Sequence, residues 1–241
     1  PRNLGSFYIK QNKHTLAEKY FKIAIEHENF DAYHDLALFY ENNNKFESAE
    51  KYYLLAIEKK DFYASRNLAD LYTKQNKFDL AEKYFKIAIE NENFDAYNDL
   101  GVFYENNNNL ELAEKYYLLA VEKNNFYASK NLAALYENQE KFDLAEKYFK
   151  IAITVGNEDA INTLAILYHN QEKFDLAITN YKLAIEKGNI DAIFNLGLLY
   201  ENQDKINLAV TYYEKAANLG SSPAFIRLGA IFMDKNEPET A

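Results

Sequence analysis

The sequence predicts an all-α fold of stacked helix pairs, a solenoid, and three observations predict it. The first is an unbroken repeat: Leu4, Leu36, Leu68, Leu100, Leu132, Leu164, Leu196 and Leu228 follow one another every 32 residues. The second is the helical spacing of apolar residues within each unit. The third is the set of residues at the unit boundaries, which suit helix ends. A fixed period of this size marks a repeat architecture, in which each unit buries its apolar face only against its neighbours.

An aromatic sits four residues after each of these leucines: Tyr8, Tyr40, Tyr72, Tyr104, Tyr136, Tyr168, Tyr200 and Phe232. Three alanine series keep the same register, from Ala17 to Ala241, Ala24 to Ala216 and Ala32 to Ala224. Nothing interrupts them, so about seven and a half units form a single solenoid over residues 1–241. In the first half of a unit Ala96, Leu100, Phe103 and Tyr104 make one helical stripe; in the second half Ala113, Tyr116, Tyr117, Ala120 and Val121 make another. Alanine lets two helix backbones approach closely, while Leu and Tyr fill the space between.

The residues before each first helix are Asn29, Asp61, Asn93, Asn125, Asn157, Asn189 and Ser221, all suited to cap a helix N-terminus through a side-chain oxygen. Pro223 falls in a first turn, where its missing N–H does no harm. Gly156, Gly188 and Gly220 stand where the preceding helix ends in a left-handed residue. Between the helices of a unit, Asn12, Asn44, Asn76 and Asn108 share one position, and Asn tolerates the left-handed turn better than other non-glycine residues. Residues 31–94 and 95–158 are nearly the same sequence, so two repeats were duplicated together. Glu82–Lys86 and Glu146–Lys150 are favourable i,i+4 pairs on second helices and read as a solvated face.

Composition narrows the function. A formal charge of −10 and a pI near 5.0 disfavour nucleic acid and a bare anionic membrane. No apolar run approaches the roughly 20 residues of a membrane span. Without cysteine there is no disulfide and no thiolate metal site, and the compartment is unreadable, the cytosol being a default. His14, His27, His34 and His169 are scattered without ligand spacing and read as surface residues. The Asn runs at 42–44 and 106–109 lack the alternating carboxylates of a calcium loop and recur at a turn. No phosphate loop or nucleophile motif occurs. The expectation is a protein that is not an enzyme and has no cofactor, metal or catalytic residue.

Leu100-Gly101, Tyr104, Ala113, Tyr117 and Ala120 together resemble the tetratricopeptide repeat, over the whole chain. The link from Ala120 to Leu132 is shorter and lacks proline; in the stretches AIEKGNIDAIFNLG and AANLGSSPAFIRLG it is similar to the SEL-one-like repeat. The resemblance implies a right-handed superhelical α-solenoid of antiparallel helix pairs, its first helices lining a concave groove, and a role as a protein-binding scaffold. Stacked repeats offer an extended concave surface rather than a closed pocket.

Groove candidates are the residues flanking each first-helix Leu on the side away from the second helix. They are His34 and Asp35; Arg66, Asn67, Asp70 and Lys74; Asn98 and Asp99; Lys130 and Asn131; and Asn195. Arg66, Asn67, Lys74, Lys130 and Asn131 partly resemble the Lys/Asn clamp with which some tetratricopeptide domains hold a terminal carboxylate. Asp35, Asp70 and Asp99 argue instead for a net acidic groove, with Asn reading backbone amides and the acids meeting basic side chains. The expected function is an adaptor binding a peptide or protein segment; the alternative is a structural or oligomerisation subunit of a larger assembly. The ends, Pro1-Arg2-Asn3 and Ala241, are both in repeat register, with Asn236 at the turn position. The expectation is a piece of a longer solenoid, with Leu228, Ile231 and Phe232 covered by a further helix or another chain.

Overall fold

Alanine sets the distance between the helices. Every member of the three series that the computed structural model describes, over residues 1–234, is completely buried, among them Ala49, Ala56 and Ala64. The expectations placed on Asn236 and Ala241 lie outside the described residues. Among the described residues there are fifteen helices and no strand.

The chain forms two compact units, residues 1–125 and 126 onward. The first holds α1 (Arg2–Lys10), α2 (His14–Glu26), α3 (Asp31–Asn42), α4 (Phe46–Glu58), α5 (Tyr63–Lys74), α6 (Phe78–Glu90), α7 (Asp95–Asn106) and α8 (Leu110–Glu122). The second holds α9 (Ala128–Asn138), α10 (Phe142–Thr154), α11 (Asp159–Asn170), α12 (Phe174–Glu186), α13 (Ile190–Asn202), α14 (Ile206–Asn218) and α15 (Ser222–Asp234). Odd-numbered helices are the first of each pair, and α1 to α13 each pack against the second helix of their own repeat, while α15 packs against α14.

Leu36, Leu68, Leu100, Leu132 and Leu196 are fully buried, and Tyr40, Tyr72, Tyr104, Tyr136 and Tyr168 nearly so. The rings of Tyr40, Tyr72, Tyr104 and Tyr136 each lie over a Tyr twelve residues on, as in Tyr40–Tyr52 at 5.4 Å and Tyr104–Tyr116 at 5.4 Å between centroids; for Tyr168 that position is Asn180. All eight leucine–aromatic pairs sit on first helices, but the outermost are not buried as expected. Leu4 is 43% exposed and Phe232 47% exposed, because α1 has no preceding helix pair and α15 no second helix among the described residues. At Gly101 the approach is closest: a Cβ there would lie 2.5 Å from a ring carbon of Tyr117.

The turns follow one backbone rule. Asn12, Asn44, Asn76 and Asn108 have φ of 56–59°, and Gly156, Gly188 and Gly220 have φ of 85–94°. The same left-handed positions are occupied elsewhere by Asp204, whose side chain tolerates that backbone, and by Glu28, Lys60, Glu92, Glu140 and Glu172, which carry no turn signal of their own. Their N–H groups close each helix, as Lys60 does on Ile57 at 2.9 Å, so tertiary stacking imposes the turn on whatever residue is there. A Cβ at Gly188 would meet nothing within 4 Å, so its substitution is limited by backbone conformation alone. Gly188→Ala is expected to lower stability by about 1 kcal/mol, read from urea unfolding.

Side-chain capping is partial. Asn189 accepts from the Ala192 N–H at 2.9 Å and Asp61 from that of Tyr63 at 3.1 Å. Elsewhere the backbone carbonyl takes the bond, as at Asn29 and Asn93, each 3.1 Å from the N–H three residues on. Asn93 and Asn157 bury their side chains instead, at 7% and 2% exposure.

Candidate protein-interaction surface

The spacing that matters across the repeats is one unit plus one residue. Stacked first helices place residue i beside residue i+33, and in the first unit these positions are chemically matched. Arg2 donates through Nε to Asp35 at 2.5 Å, and through a terminal nitrogen to Asp31 at 2.7 Å. Arg66 pairs with Asp99, and Lys74 donates to Glu41 at 2.7 Å. The Asn67 amide donates to His34 Nε2 at 2.7 Å, and His34 Nδ1–H donates to Asp61 at 2.8 Å, the tautomer with the proton on Nδ1. In the second unit the Asn195 amide donates to Asn162 at 3.2 Å, and that of Asn202 to His169 at 3.2 Å. His34 and His169 are thus half-buried members of this ladder and not surface residues; burial also lowers the basicity of His169.

A second set of bonds pins the ladder from behind. Buried Tyr53 donates to Glu41 at 2.6 Å, Tyr117 to Glu105 at 2.6 Å, and Tyr213 to Glu201. Burial, then the acceptor carboxylate, pushes all three phenols above their ordinary range. In the third repeat the corresponding residues are Thr73 and Phe85, so the bond is absent. The fifth keeps Glu137 but has Phe149, and the half-buried Glu137 carboxyl is pushed up by burial alone.

Two expected properties change here. Asp35 and Asp99, read as acids open to a partner's basic side chains, are each held by an arginine of a neighbouring repeat. Arg66, Asn67 and Lys74, the first-unit members of the carboxylate clamp, are held by Asp99, His34 and Glu41. The structure brings His34, Asp35, Arg66, Asn67, Lys74 and Asp99 into one ladder of the first unit. Asn98 is buried beside it on α7. Lys130 and Asn131 lie on α9 and Asn195 on α13, in the second unit.

Asp70 differs from the rest. It is half-buried on α5 and makes no hydrogen bond or ion pair with the described residues. Burial pushes its carboxyl up to about 6; Asp99 adds to that push, while Arg66 and Lys74 oppose it. Asp61 shows the contrast: burial works against its charge too, but the bond from His34 and the N–H groups of Ala64 and Tyr63 hold its carboxyl below the usual value.

Helix pairs stacked in register, presenting a polar ladder on their first helices, define a helical-repeat interaction scaffold, a class whose members are typically non-catalytic and bind proteins. The chain belongs to the tetratricopeptide repeat family: models of that repeat match residues 3–26, 30–58, 66–128 and 190–219. Comparison with curated proteins finds no match. Among solved structures, c5321, a protective antigen of uropathogenic Escherichia coli displaying an SLR fold, is 20% identical with a TM-score of 0.65. The match covers 97% of this chain, which spans 56% of c5321. The C-terminal part of a tetratricopeptide repeat-containing protein of Cytophaga hutchinsonii is 17% identical over 93% of this chain and 98% of that one, with a TM-score of 0.66. A Sel1 repeat protein of Oxalobacter formigenes is 18% identical over 91% of this chain and all of its own, with a TM-score of 0.63. At these identities the likeness is one of fold, and it spans both repeat types. Among the described residues no helix is long and apolar enough to cross a membrane.

Proposed function

We propose that the chain is a non-enzymatic scaffold docking a segment of a protein partner along its first-helix side chains, with Asp70 as a subsite for a Lys or Arg of that segment. The observation that carries this reading is the unpartnered, half-buried Asp70 carboxylate amid a ladder whose other charges are matched. An ionised acid in that position weighs against folding, and an incoming cation supplies the missing counter-charge.

Asp70 also predicts a pH dependence. Its folded value, about 6, lies above the ordinary 3.8, so the folded state holds a proton that the unfolded chain has lost. The stability it contributes is full below about pH 4 and is lost as pH rises through about 6. Asp70→Asn is expected to add about 1 kcal/mol at pH 7, partial exposure reducing the full shift, and to flatten the stability profile between pH 4 and 6.

Binding reverses the sign, since a cation lowers the carboxyl and expels the proton. An acetylated, amidated heptapeptide of alternating Lys and Leu, titrated calorimetrically, is expected to bind several-fold more tightly at pH 7 than at pH 5. Asp70→Asn is expected to weaken it about tenfold. Equal affinity for the wild type and Asp70→Asn at pH 7 overturns the subsite.

A further inference from the structure

We infer that the first-helix face of the second unit takes an amphipathic helix of a protein partner, one flank of it basic and the other acidic. The basic flank meets Glu137 and the acidic flank Lys130, with the apolar face laid on Ala134, Ile166 and Leu198. This rests on the scaffold reading and names the kind of segment that the second unit accepts.

The charge matching of the ladder stops at these two residues. In the first unit it pairs charges 33 residues apart, as Arg66 with Asp99 and Glu41 with Lys74. The residues 33 positions beyond Lys130 and Glu137 are Thr163 and Asn170, which carry no charge. Two repeats on from Glu137, Glu201 has the Tyr213 hydroxyl and, at 3.7 Å, the Arg227 guanidinium. In the corresponding places Glu137 has Phe149 and Thr163, so both partners are missing. Lys130 and Glu137 make no hydrogen bond or ion pair with the described residues, and both are partly exposed.

The two charges stand on either side of an apolar strip. They are seven residues apart on one face of α9, two turns, or about 10 Å along the axis. Ala134 lies between them, and its counterparts on α11 and α13 are Ile166 and Leu198, all three partly exposed. Phe194 widens the strip on α13, its ring 5.5 Å from that of Tyr213. In the first unit the same strip is interrupted by Asp70. A contiguous apolar surface rimmed by polar residues marks an interaction site.

Size and charge together select the occupant. A helix with its side chains is about 10–12 Å across, which matches the span from Lys130 to Glu137. Laid over α9, α11 and α13, it covers the strip and sets one flank over each charge. Its apolar face leaves water, and the flanks supply the counter-charges that the chain itself does not. An extended strand is about half as wide and cannot meet both charges at once.

The test is calorimetric titration of the full chain with acetylated, amidated helical peptides of about 18 residues, or five turns. The first has leucine on one face, lysine along one flank and glutamate along the other. The second has glutamine on both flanks. The third has the composition of the first in an order that gives leucine no common face. The first is expected to bind about tenfold more tightly than either of the others. Lys130→Gln and Glu137→Gln, their folding confirmed by circular dichroism, are each expected to weaken the first peptide several-fold and to leave the second unchanged. Glu137→Lys is expected to reverse the preference, toward a leucine helix with glutamate on both flanks. Equal affinity for the first peptide and either control overturns the inference, as does affinity indifferent to both glutamine variants. Asp70→Asn is expected to leave this binding unchanged; its loss in that variant would place the peptide on the first unit and overturn the inference equally. The Asp70 subsite is read with a different peptide and variant, so its failure is distinct from failure here.

Discussion

Leu100→Ala is expected to lower the stability of the chain by about 2–5 kcal/mol, the range for emptying a close-packed site. Leu100 is fully buried, and Tyr104 beside it is 6% exposed, so the lost volume has no solvent to fill it. Leu4→Ala is the internal control. The same residue type at the same repeat position is 43% exposed there, and its truncation is expected to lower stability by about 1 kcal/mol or less. Urea unfolding of the two variants measures the difference. Equal losses at Leu4 and Leu100 would contradict the burial pattern. Since each repeat is stabilised by its neighbours, the Leu100→Ala transition is also expected to broaden as the array loses cooperativity.

Replacing both Asp35 and Asp99 by Lys is expected to lower stability by about 2–4 kcal/mol in total. Each change turns a half-buried ion pair into a repulsion with Arg2 or Arg66; the pairs sit between surface bridges, which contribute under about 1 kcal/mol, and buried ones, whose breakage costs about 3–5 kcal/mol. From the sequence, these acids face a partner, and their reversal affects binding alone. The cross-repeat pairs change that expectation. The swap Arg66→Asp with Asp99→Arg is expected to recover most of the loss at that site, and a double-mutant cycle by urea unfolding isolates the pair. A loss that the swap leaves unrecovered would mean that Asp99 stabilises the fold by something other than Arg66.

The two results draw on different parts of the sequence. Leu100, Tyr104, Ala113 and Ala120 were readable as core because their spacing states which face of a helix they occupy, and burial follows the face. The Asn12 and Gly156 turns were readable because those residues favour the left-handed backbone. The ladder left a fainter signal: Asp35 follows Arg2, and Asp99 follows Arg66, by one repeat and one residue. Glu at the groove position accompanies Tyr twelve residues on in Glu41–Tyr53, Glu105–Tyr117 and Glu201–Tyr213, though Glu137–Phe149 breaks that rule.

The sequence by itself determined the helix pairs, their register and the buried alanine, leucine and tyrosine faces, since these depend on contacts within a repeat and on a period that runs unbroken along the chain. Only the tertiary structure decided which charges are already spent. Whether Asp35, Asp70 and Asp99 are equivalent acids depends on what lies 33 residues away, across a stacked helix. There Asp35 and Asp99 meet guanidinium groups; Asp70 makes no bond. The same stacking forces Glu28, Lys60 and Glu92 into left-handed turns that their own preferences oppose, because closing each helix onto the next repeat outweighs about 1–2 kcal/mol of local strain. It also leaves Asn93 buried without an acceptor, while Asn157, in the nearly identical duplicate, has one.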